Sequence, residues 1–279
     1  MKREAKNNYF KFNDIILKTE DEDIFQKIIE PSIYEVIRVI EGVPIFLDDH
    51  LDRMFNSASI IGYEIKYKKD EIKTSIKEVI LKNEVKNQNI KLLASKVDRK
   101  PVFLVYFVES FYPPEEYYEN GIKTIIFEHE RDNPNAKVQK DDFRNNVKLA
   151  MDKNHAFEAL LVNAKGYIPE GSRSNMFFVK DKKIFTAPSS EVLLGITRKY
   201  IFNVADIIGV DIIQESIHMD HVKELEGAFM SGTSVGVLPI GRIDNMIIES
   251  KANEIIGKLK ESYDELIQNY IEENKILYE

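Results

Sequence analysis

The segment EGSRSNMFFVKDKKIFT, residues 170–186, indicates the type of fold that this chain adopts. Residues 176–179 are apolar, residues 180–182 are charged, and residues 183–186 form a second short run. Two such runs around a three-residue turn predict a β-hairpin. Glu170 precedes the hairpin in a Gly-Ser turn. A carboxylate held in a cleft there could pair with a protonated ring nitrogen, although most turn acids simply face solvent.

Two motifs of small residues follow the hairpin. Residues 194–198 are LGITR and come directly before a helix predicted over residues 197–208. A helix N-terminus offers unpaired backbone N–H groups and the positive end of a dipole, so this motif suits a phosphate group. A plain Thr N-cap would explain the same pattern. Residues 230–234, MSGTS, could supply further phosphate donors or form an ordinary polar turn.

The motif DHLDR, residues 49–53, lies on the N-terminal side of the hairpin. It follows two strands predicted over residues 33–40 and 43–47, and it opens a helix predicted over residues 49–61. The histidine and the arginine of the motif are three residues apart and therefore lie near one helix face. A guanidinium at this place can bind a phosphate bidentately. A solvated, charged helix start is the simpler interpretation.

The remaining pattern predicts a mixed α and β chain. The first twelve residues are a polar lead-in, and the segment PPEEYYENG at residues 113–121 is the best candidate linker. It divides the chain into an N-terminal α+β domain, residues 1–119, and a C-terminal domain, residues 120–279. The other predicted helices cover residues 69–82, 142–153 and 252–274, and the other predicted strands cover residues 91–95, 102–108, 122–127, 157–162 and 211–215.

Composition excludes several classes of protein. The 279 residues contain 39 Lys and Arg against 47 Asp and Glu, a net charge of −8, which disfavours general nucleic-acid binding. The chain has no cysteine, so disulfides, thiolate metal sites and cysteine nucleophiles are excluded. The five histidines are scattered, and no metal site is expected. Neither a secretory signal nor a membrane span is recognisable, so we expect a soluble, cytoplasmic protein.

Together, the phosphate motifs, the arginine and the glutamate suggest a phosphorylated aromatic cofactor. Pyridoxal phosphate fits, because it needs phosphate donors, an anion for its pyridinium nitrogen and a lysine amine. Three lysines lie between the predicted strand at 122–127 and the Glu170 turn: Lys137, Lys140 and Lys148. A lysine that attacks a carbonyl must be deprotonated. The sequence does not show which of the three meets this condition.

These motifs in this order resemble the class IV aminotransferases, the fold-type IV enzymes that use pyridoxal phosphate. The resemblance rests on YEVIRV (34–39), HLDR (50–53), EGSRSNMFFV (170–179), LGITR (194–198) and FMSGTS (229–234). It extends from residue 32 to residue 244. The family includes branched-chain aminotransferases, D-amino-acid aminotransferases and aminodeoxychorismate lyases. The resemblance implies a smaller N-terminal α/β domain, a larger C-terminal domain with a barrel-like sheet, and a homodimer.

The resemblance also implies a role for each motif residue. The residues expected to bind the cofactor phosphate are Arg53, Ile196, Thr197, Thr233 and Ser234. Glu170 would hydrogen-bond the pyridinium nitrogen and keep it protonated, and Leu193 would pack against one face of the ring. Tyr34 and Arg38 would line the substrate pocket.

The catalytic lysine of the family precedes the motif glutamate by roughly the distance that separates Lys137 from Glu170. Lys137 fits this spacing best, Lys140 follows closely, and Lys148 lies too near the glutamate. The segment VQKDDF at residues 138–143 lacks the tyrosine that contacts the cofactor's phenolic oxygen in some relatives. The arginine that D-amino-acid enzymes use for the substrate carboxylate has no clear match either.

We therefore expect a transaminase that moves an amino group between an amino acid, a branched-chain one being a candidate, and a 2-oxo acid through an imine on Lys137. The freed lysine amine would carry the proton between the substrate's α-carbon and the cofactor. An aminodeoxychorismate lyase on the same fold would eliminate pyruvate and need no oxo-acid acceptor. A non-catalytic relative that only binds its ligand is a third alternative. The substrate side chain and the D or L preference stay open.

Overall fold

The structure, a computed structural model, describes residues 4–20, 24–129, 135, 137 and 141–275. The chain forms two compact units. The first unit comprises Met1–Phe111, Ala136–Gln139 and Ile267–Glu279, and the second comprises Tyr112–Asn135 and Lys140–Leu266. Lys137 therefore belongs to the first unit, although the chain on either side of residues 136–139 belongs to the second.

The first unit is an antiparallel sheet with two helices. Its strands are β1 (Ala5–Phe12), β2 (Ile15–Lys18), β3 (Ile28–Ile40), β4 (Val43–Pro44), β5 (Gln88–Val97) and β6 (Lys100–Val108). The helices α1 (Leu47–Ile60) and α2 (Lys69–Asn83) lie between β4 and β5 in the chain. The strand order is β2-β1-β6-β5-β3-β4, and all neighbouring strands are antiparallel.

Alternation along β3 determines which of its side chains enter the core of the first unit. Ile33 and Ile37 are buried in the cluster to which α1 and α2 also contribute, whereas Tyr34 and Arg38 on the opposite face are half-buried. Glu35 has the same phase as the two isoleucines and is fully buried. Because successive side chains of a strand point to opposite faces, this carboxylate enters a mainly apolar core and requires polar partners there.

The second unit is built around a mixed sheet. Its elements are α3 (Glu115–Asn120), β7 (Ile122–Glu128), α4 (Asp141–Asn154), β8 (Glu158–Val162), β9 (Tyr167–Ile168), β10 (Asn175–Lys180), β11 (Lys183–Thr186), α5 (Ile196–Ile207), β12 (Ile212–Gln214), β13 (Ile217–His218), β14 (Gly227–Gly232), β15 (Gly236–Ile243), β16 (Met246–Ile247) and α6 (Glu254–Asn274). The strand order is β12-β11-β10-β14-β15-β7-β8, with β16 on β15 and a separate β9–β13 pair. β7 runs parallel to β8 and to β15, and β11 runs parallel to β12.

The predicted hairpin lies inside this sheet. Val179 pairs with Ile184 across the turn, and β10 pairs with β14 on its other side. Residues 175–179 are all buried, which explains the apolar run in the sequence. Phe177 stacks on Phe229 of β14 with ring centroids 4.8 Å apart, and its ring centroid lies 6.5 Å from that of Phe202 in α5. The hairpin prediction is confirmed, and α5 covers this face of the sheet.

Most predicted helices and strands begin and end within a few residues of their observed bounds, but the prediction for the N-terminus was wrong. Residues 5–12 form β1, which pairs with β2 and β6. Phe10 is fully buried in this strand. The register with β6 shifts between Lys6 and Lys11, so buried side chains do not alternate regularly, and the pattern resembles a polar coil.

The predicted linker contains the short helix α3, which begins directly after Pro114. Proline is compatible with a helix start, because the first N–H groups of a helix have no partner within it. Among the described residues, no helix has both the length and the apolar character that crossing a membrane requires.

Candidate active site

A buried ionic cluster in the first unit joins β3 to α1. Arg53 Nε donates to Glu35 Oε1 at 2.8 Å, and Arg53 Nη2 donates to Glu35 Oε2 at 2.6 Å. His50 Nδ1 lies 2.8 Å from the same Oε2. His50 is 2% exposed and Arg53 9%. The paired hydrogen bonds fix the Arg53 guanidinium in one orientation.

Burial and charge set the protonation states of this cluster. Burial alone raises the pKa of Glu35, but the charge and hydrogen bonds of Arg53, the His50 hydrogen bond and the Lys137 charge hold that pKa well below its usual range. Burial lowers the pKa of His50 and outweighs the opposing effect of Glu35. The His50 ring is therefore neutral near pH 7. Because a carboxylate only accepts hydrogen bonds, Nδ1 carries the proton.

Sequence reasoning identified Arg53 but missed Glu35. The interpretation of the DHLDR motif as a solvated helix start was wrong, because His50 and Arg53 both face the core. The signal for Glu35 was present in the sequence. It is a charged residue at the buried phase of an alternating strand, and it precedes His50 by 15 residues and Arg53 by 18.

Lys137 is held against the same two elements of the first unit. Its backbone N–H donates to Ser57 Oγ in α1 at 3.3 Å, and its carbonyl oxygen accepts from Tyr34 N in β3 at 3.4 Å. Its Nζ lies 5.2 Å from the centroid of the Tyr34 ring. The structure therefore brings Lys137 and Tyr34 together.

Of the other candidates, the structure describes Arg38 and Lys148. Arg38 lies on the same face of β3 as Tyr34, four residues further along the strand, and is half-buried. Lys148 is exposed on α4. Lys140, which competes with Lys137 on spacing, lies outside the described residues.

In the second unit, a buried acid supports the turn that carries Glu170. Glu158 is fully buried and accepts hydrogen bonds from the Ser172 and Ser174 hydroxyls at 2.5 and 2.8 Å. Glu170 itself is 3% exposed, and its Oε2 accepts from Leu193 N at 3.4 Å. The interpretation of Glu170 as a surface turn acid was therefore wrong. Sequence reasoning missed Glu158, whose only signal is an acid at the start of an apolar strand.

The LGITR motif forms the uncapped start of α5. Gly195 is the N-cap residue, no side chain caps the helix, and no acid lies in its first turn. Thr197 is the second helical residue and 5% exposed, so the interpretation as a plain Thr N-cap was wrong. Leu193 is half-buried in the loop before the helix. A helix start without an acidic side chain suits an anionic ligand.

Arg198, in the first turn of α5, is a buried cation with neutral partners. It is 3% exposed, and its guanidinium donates to Thr186 Oγ1 at 2.5 Å and to Ala187 O at 2.8 Å. In the described part of the chain no carboxylate pairs with it. Burial lowers its pKa to about 10, so it stays charged near neutral pH. A buried charge of this kind is stabilised by a nearby anion.

The MSGTS motif begins in the core and ends in a turn. Ser231 of β14 is 1% exposed, and its Oγ has no hydrogen-bond partner among the described residues. Thr233 and Ser234 are half-buried in the turn between β14 and β15, which Val235 N closes by donating to Gly232 O at 3.2 Å. Buried hydroxyls normally have partners, so a ligand atom or a water molecule that reached the Ser231 hydroxyl would satisfy it.

Each unit contains groups that suit one part of a phosphorylated pyridine ring. The first unit offers a lysine amine and a fixed guanidinium. The second unit offers a buried carboxylate, an uncapped helix start and a buried hydroxyl that has no partner among the described residues. These residues fit pyridoxal phosphate. Within residues 4–20, 24–129, 135, 137 and 141–275, no group of three or more His, Cys, Asp or Glu side chains is placed to hold a metal ion.

Comparison with known proteins places these observations in a family. Residues 32–243 match the family model described as amino-transferase class IV. A putative branched-chain-amino-acid aminotransferase of Methanocaldococcus jannaschii is 28% identical over 249 residues, which are 84% of this chain and 86% of that protein. A D-alanine aminotransferase of Bacillus licheniformis is 27% identical over 252 residues, 86% of this chain and 87% of that protein.

Solved structures share the fold. The branched-chain aminotransferase of T.th., solved with pyridoxamine 5'-phosphate, has a TM-score of 0.84 and 27% identity and covers 95% of this chain and 96% of its own. The Escherichia coli branched-chain enzyme has a TM-score of 0.85 at 23% identity and covers 94% of this chain and 95% of its own. The predicted fold class, mixed α and β with a barrel-like sheet, is confirmed by these neighbours.

Proposed function

The chain belongs to the class IV aminotransferases and is a transaminase that uses pyridoxal phosphate, and we propose that its amino donor is a branched-chain amino acid. The support is that relatives and structural neighbours named branched-chain aminotransferases recur among the most similar proteins. D-alanine aminotransferases recur as well, at similar identity. D-alanine is therefore the substrate against which the proposal has to be tested.

We assign the reactive amine to Lys137 of the first unit. When bound, pyridoxal phosphate supplies an electron sink for the electrons of the substrate's α-carbon. Lys137 Nζ would attach the cofactor. Once the substrate has displaced it, the free amine would take the proton from the substrate's α-carbon and deliver it to the cofactor. The backbone hydrogen bonds of Lys137 to α1 and β3 support this role, because they fix the start of a long, flexible side chain.

We assign the phosphate of the cofactor to Arg53 and to the α5 start. Arg53 is oriented by Glu35, which neutralises part of its charge and fixes its plane. The N–H of Ile196 and the hydroxyl of Thr197 would donate from the helix start, where no acid competes. Thr233 and Ser234 would complete the phosphate contacts from the β14–β15 turn.

We assign the remaining contacts by the chemistry of each side chain. Glu170, buried and held by the Leu193 N–H, would keep the ring nitrogen protonated, which favours electron withdrawal from the substrate. Leu193 would pack on the ring. Tyr34 and Arg38 share one face of β3 and would line the substrate pocket, Tyr34 with an apolar ring surface and Arg38 with a cation for a carboxylate.

Half-reactions test the amino donor. The protein loaded with pyridoxal phosphate is mixed with L-leucine, L-valine or D-alanine, and conversion to the pyridoxamine form is followed by absorbance. We expect conversion with the two branched-chain substrates and a return to the starting spectrum on adding a 2-oxo acid. Conversion with D-alanine alone would contradict the proposal. Pyruvate release from aminodeoxychorismate without an oxo-acid acceptor would indicate the lyase alternative.

We also propose that the enzyme is a cytoplasmic homodimer. The support for the dimer is family resemblance, and the support for the compartment is a sequence without cysteine, which fits a reducing environment. Sedimentation of the purified chain should give twice the mass of one 32.4 kDa chain. A particle with the mass of a single chain would contradict the dimer.

A further inference from the structure

Asn175 connects the three polar segments of the second unit. As the first residue of β10 it forms a bridge to Glu170 and pairs with Ser231 of β14. Its Nδ2 donates to Leu193 O at 2.9 Å. It is 6% exposed. The acidic turn, the loop before α5 and the strand that leads to Thr233 therefore meet at one residue, the two strand pairings through its backbone and the loop through its side chain.

The contact between Asn175 and Gly195 is close enough to exclude a side chain at residue 195. A Cβ on Gly195 would lie 2.2 Å from Asn175 Oδ1, far inside van der Waals contact. The backbone of Gly195 has φ −64° and ψ 139°, which any residue can adopt. The glycine is therefore required by the close approach of Asn175 and not by its own backbone conformation.

Leu193 is held through both of its backbone polar atoms. Its N–H donates to Glu170 Oε2 at 3.4 Å, and its carbonyl accepts from Asn175 Nδ2 at 2.9 Å. The helix begins three residues later at Ile196. The position of Leu193 thus restricts the path of the loop that leads into the first N–H groups of α5.

Ser231 lies next to Asn175 across the strand pair. Residues directly opposite each other on antiparallel strands have their side chains on the same face. The Ser231 hydroxyl, which has no partner among the described residues, therefore lies on the face on which Asn175 reaches the loop. A ligand atom that satisfies this hydroxyl would sit close to the part of the loop that Asn175 fixes.

We propose that Asn175 is a positioning residue of the cofactor site. It fixes the position of the Leu193–Gly195 loop relative to β10 and β14. The loop in turn places the α5 start where it can bind the cofactor. Asn175 acts through the loop backbone and needs no contact with the cofactor. The inference rests on the proposed binding of the cofactor at this helix start.

Binding of pyridoxamine phosphate tests the proposal without relying on activity, because this ligand does not form a bond to lysine. In N175A the donor to Leu193 O is lost, and we expect the dissociation constant to rise about tenfold, the effect of one hydrogen bond. The matched control is N163A, which removes an asparagine that caps a turn by accepting from Lys165 N and Tyr167 N. N163A should change the dissociation constant less than twofold.

The unfolding temperature of the ligand-free protein separates positioning from simple support of the fold. A residue that only stabilises the unit would lower this temperature in N175A and leave the affinity of the folded protein unchanged. That result would overturn the proposal. Failure of the wild-type protein to bind pyridoxamine phosphate would instead refute the cofactor assignment on which the proposal rests.

A double substitution tests the contact itself. G195A should weaken pyridoxamine phosphate binding by at least as much as N175A, because its Cβ meets Asn175 Oδ1 and displaces the loop. Shortening Asn175 removes the obstructing atom, so N175A/G195A should bind no more weakly than N175A alone. Effects of the two substitutions that simply multiply would show that the residues act independently and would contradict the proposal.

Discussion

His50 shows how a single buried residue makes stability depend on pH. Its pKa is lowered by burial, and it donates to Glu35 as a neutral ring. In the unfolded chain a histidine titrates at about 6.5. Between that value and the lower pKa of the folded state, the unfolded chain binds more protons, so stability falls as the pH falls.

Substitution of His50 by asparagine should remove this dependence. The asparagine amide can still donate to Glu35, but it does not titrate. Between pH 7.5 and pH 5.5 we expect the wild-type protein to lose more of its unfolding free energy than H50N, by at most about 1.4 kcal/mol for the one pH unit below 6.5. Urea unfolding at the two pH values measures this difference.

The control for H50N is H155N. His155 is exposed and has φ 50°, a conformation in which asparagine is well tolerated. H155N leaves the His50–Glu35 contact intact and should therefore keep the pH dependence that His50 causes. Equal pH dependence in wild type and H50N would show that His50 does not titrate as the structure indicates.

Ser231 gives a second prediction at the scale of a residue. Its hydroxyl makes no hydrogen bond to the described residues, so S231A should leave the unfolding free energy of the ligand-free protein unchanged or raise it by about 1 kcal/mol. The same substitution should weaken pyridoxamine phosphate binding several-fold. Denaturant unfolding and a ligand titration measure the two effects separately.

Ser250 is the matched control, because it is equally buried but its hydroxyl both accepts and donates a hydrogen bond. It accepts from Ala228 N at 2.9 Å and donates to Ile240 O at 2.5 Å. S250A should therefore lose about 1–3 kcal/mol of unfolding free energy, the cost of unpaired buried groups, and keep its ligand affinity. A similar loss of stability in S231A and S250A would contradict the claim that the Ser231 hydroxyl makes no hydrogen bond in the ligand-free protein.

The sequence predicted which motif residues belong to the site, but it did not predict the residues to which they are hydrogen-bonded. Arg53 and Glu170 were identified from short motifs. Glu35, which fixes Arg53, lies on a strand 18 residues before it. Glu158, which supports the turn that carries Glu170, lies on a strand 12 residues before Glu170. Such partners depend on which strand neighbours which element, and no local pattern carries that information.

At the scale of the element, regular alternation decided which strands the sequence predicted. β10 and β11 were predicted because two short runs flank a charged turn, and β3 because apolar residues alternate. β1 was missed because its register shift breaks the alternation. Periodicity therefore identifies regular strands and fails where a bulge lets one strand follow the twist of its neighbours.

The contribution of β1 to the first unit can be measured by substitution. Phe10 is fully buried, with its ring centroid 5.3 Å from that of Phe25, which in turn lies 5.1 Å from that of Tyr106. F10A should cost about 3–5 kcal/mol of unfolding free energy, because a large cavity remains in this aromatic cluster. Urea unfolding measures the loss.

The exposed Ile15 of β2 supplies the control. It is 61% exposed, so I15A should change stability little. A small effect of F10A, close to that of I15A, would mean that β1 contributes little to the core and that the polar lead-in expected from the sequence was the better description.

At the scale of the whole molecule, the compact units are not continuous in sequence. Residues 136–139 and 267–279 join the first unit, although the chain between them belongs to the second. Because residues 136–139 belong to the first unit, Lys137 contacts Tyr34 and Ser57, which lie 80 or more positions away in the chain. Local sequence patterns do not show that a segment packs with a distant part of the chain. The spacing to Glu170 therefore left Lys137 and Lys140 as competing candidates.

We have assigned Lys137 as the lysine that carries the cofactor. Reduction of the loaded protein with borohydride fixes a pyridoxyl group on the lysine that is attached to the cofactor, and fragmentation of the resulting peptide by mass spectrometry locates that lysine. We predict that the group is found on Lys137, and that K148A, which changes an exposed lysine, retains it there. A pyridoxyl group on Lys140 or on any other lysine would contradict the assignment.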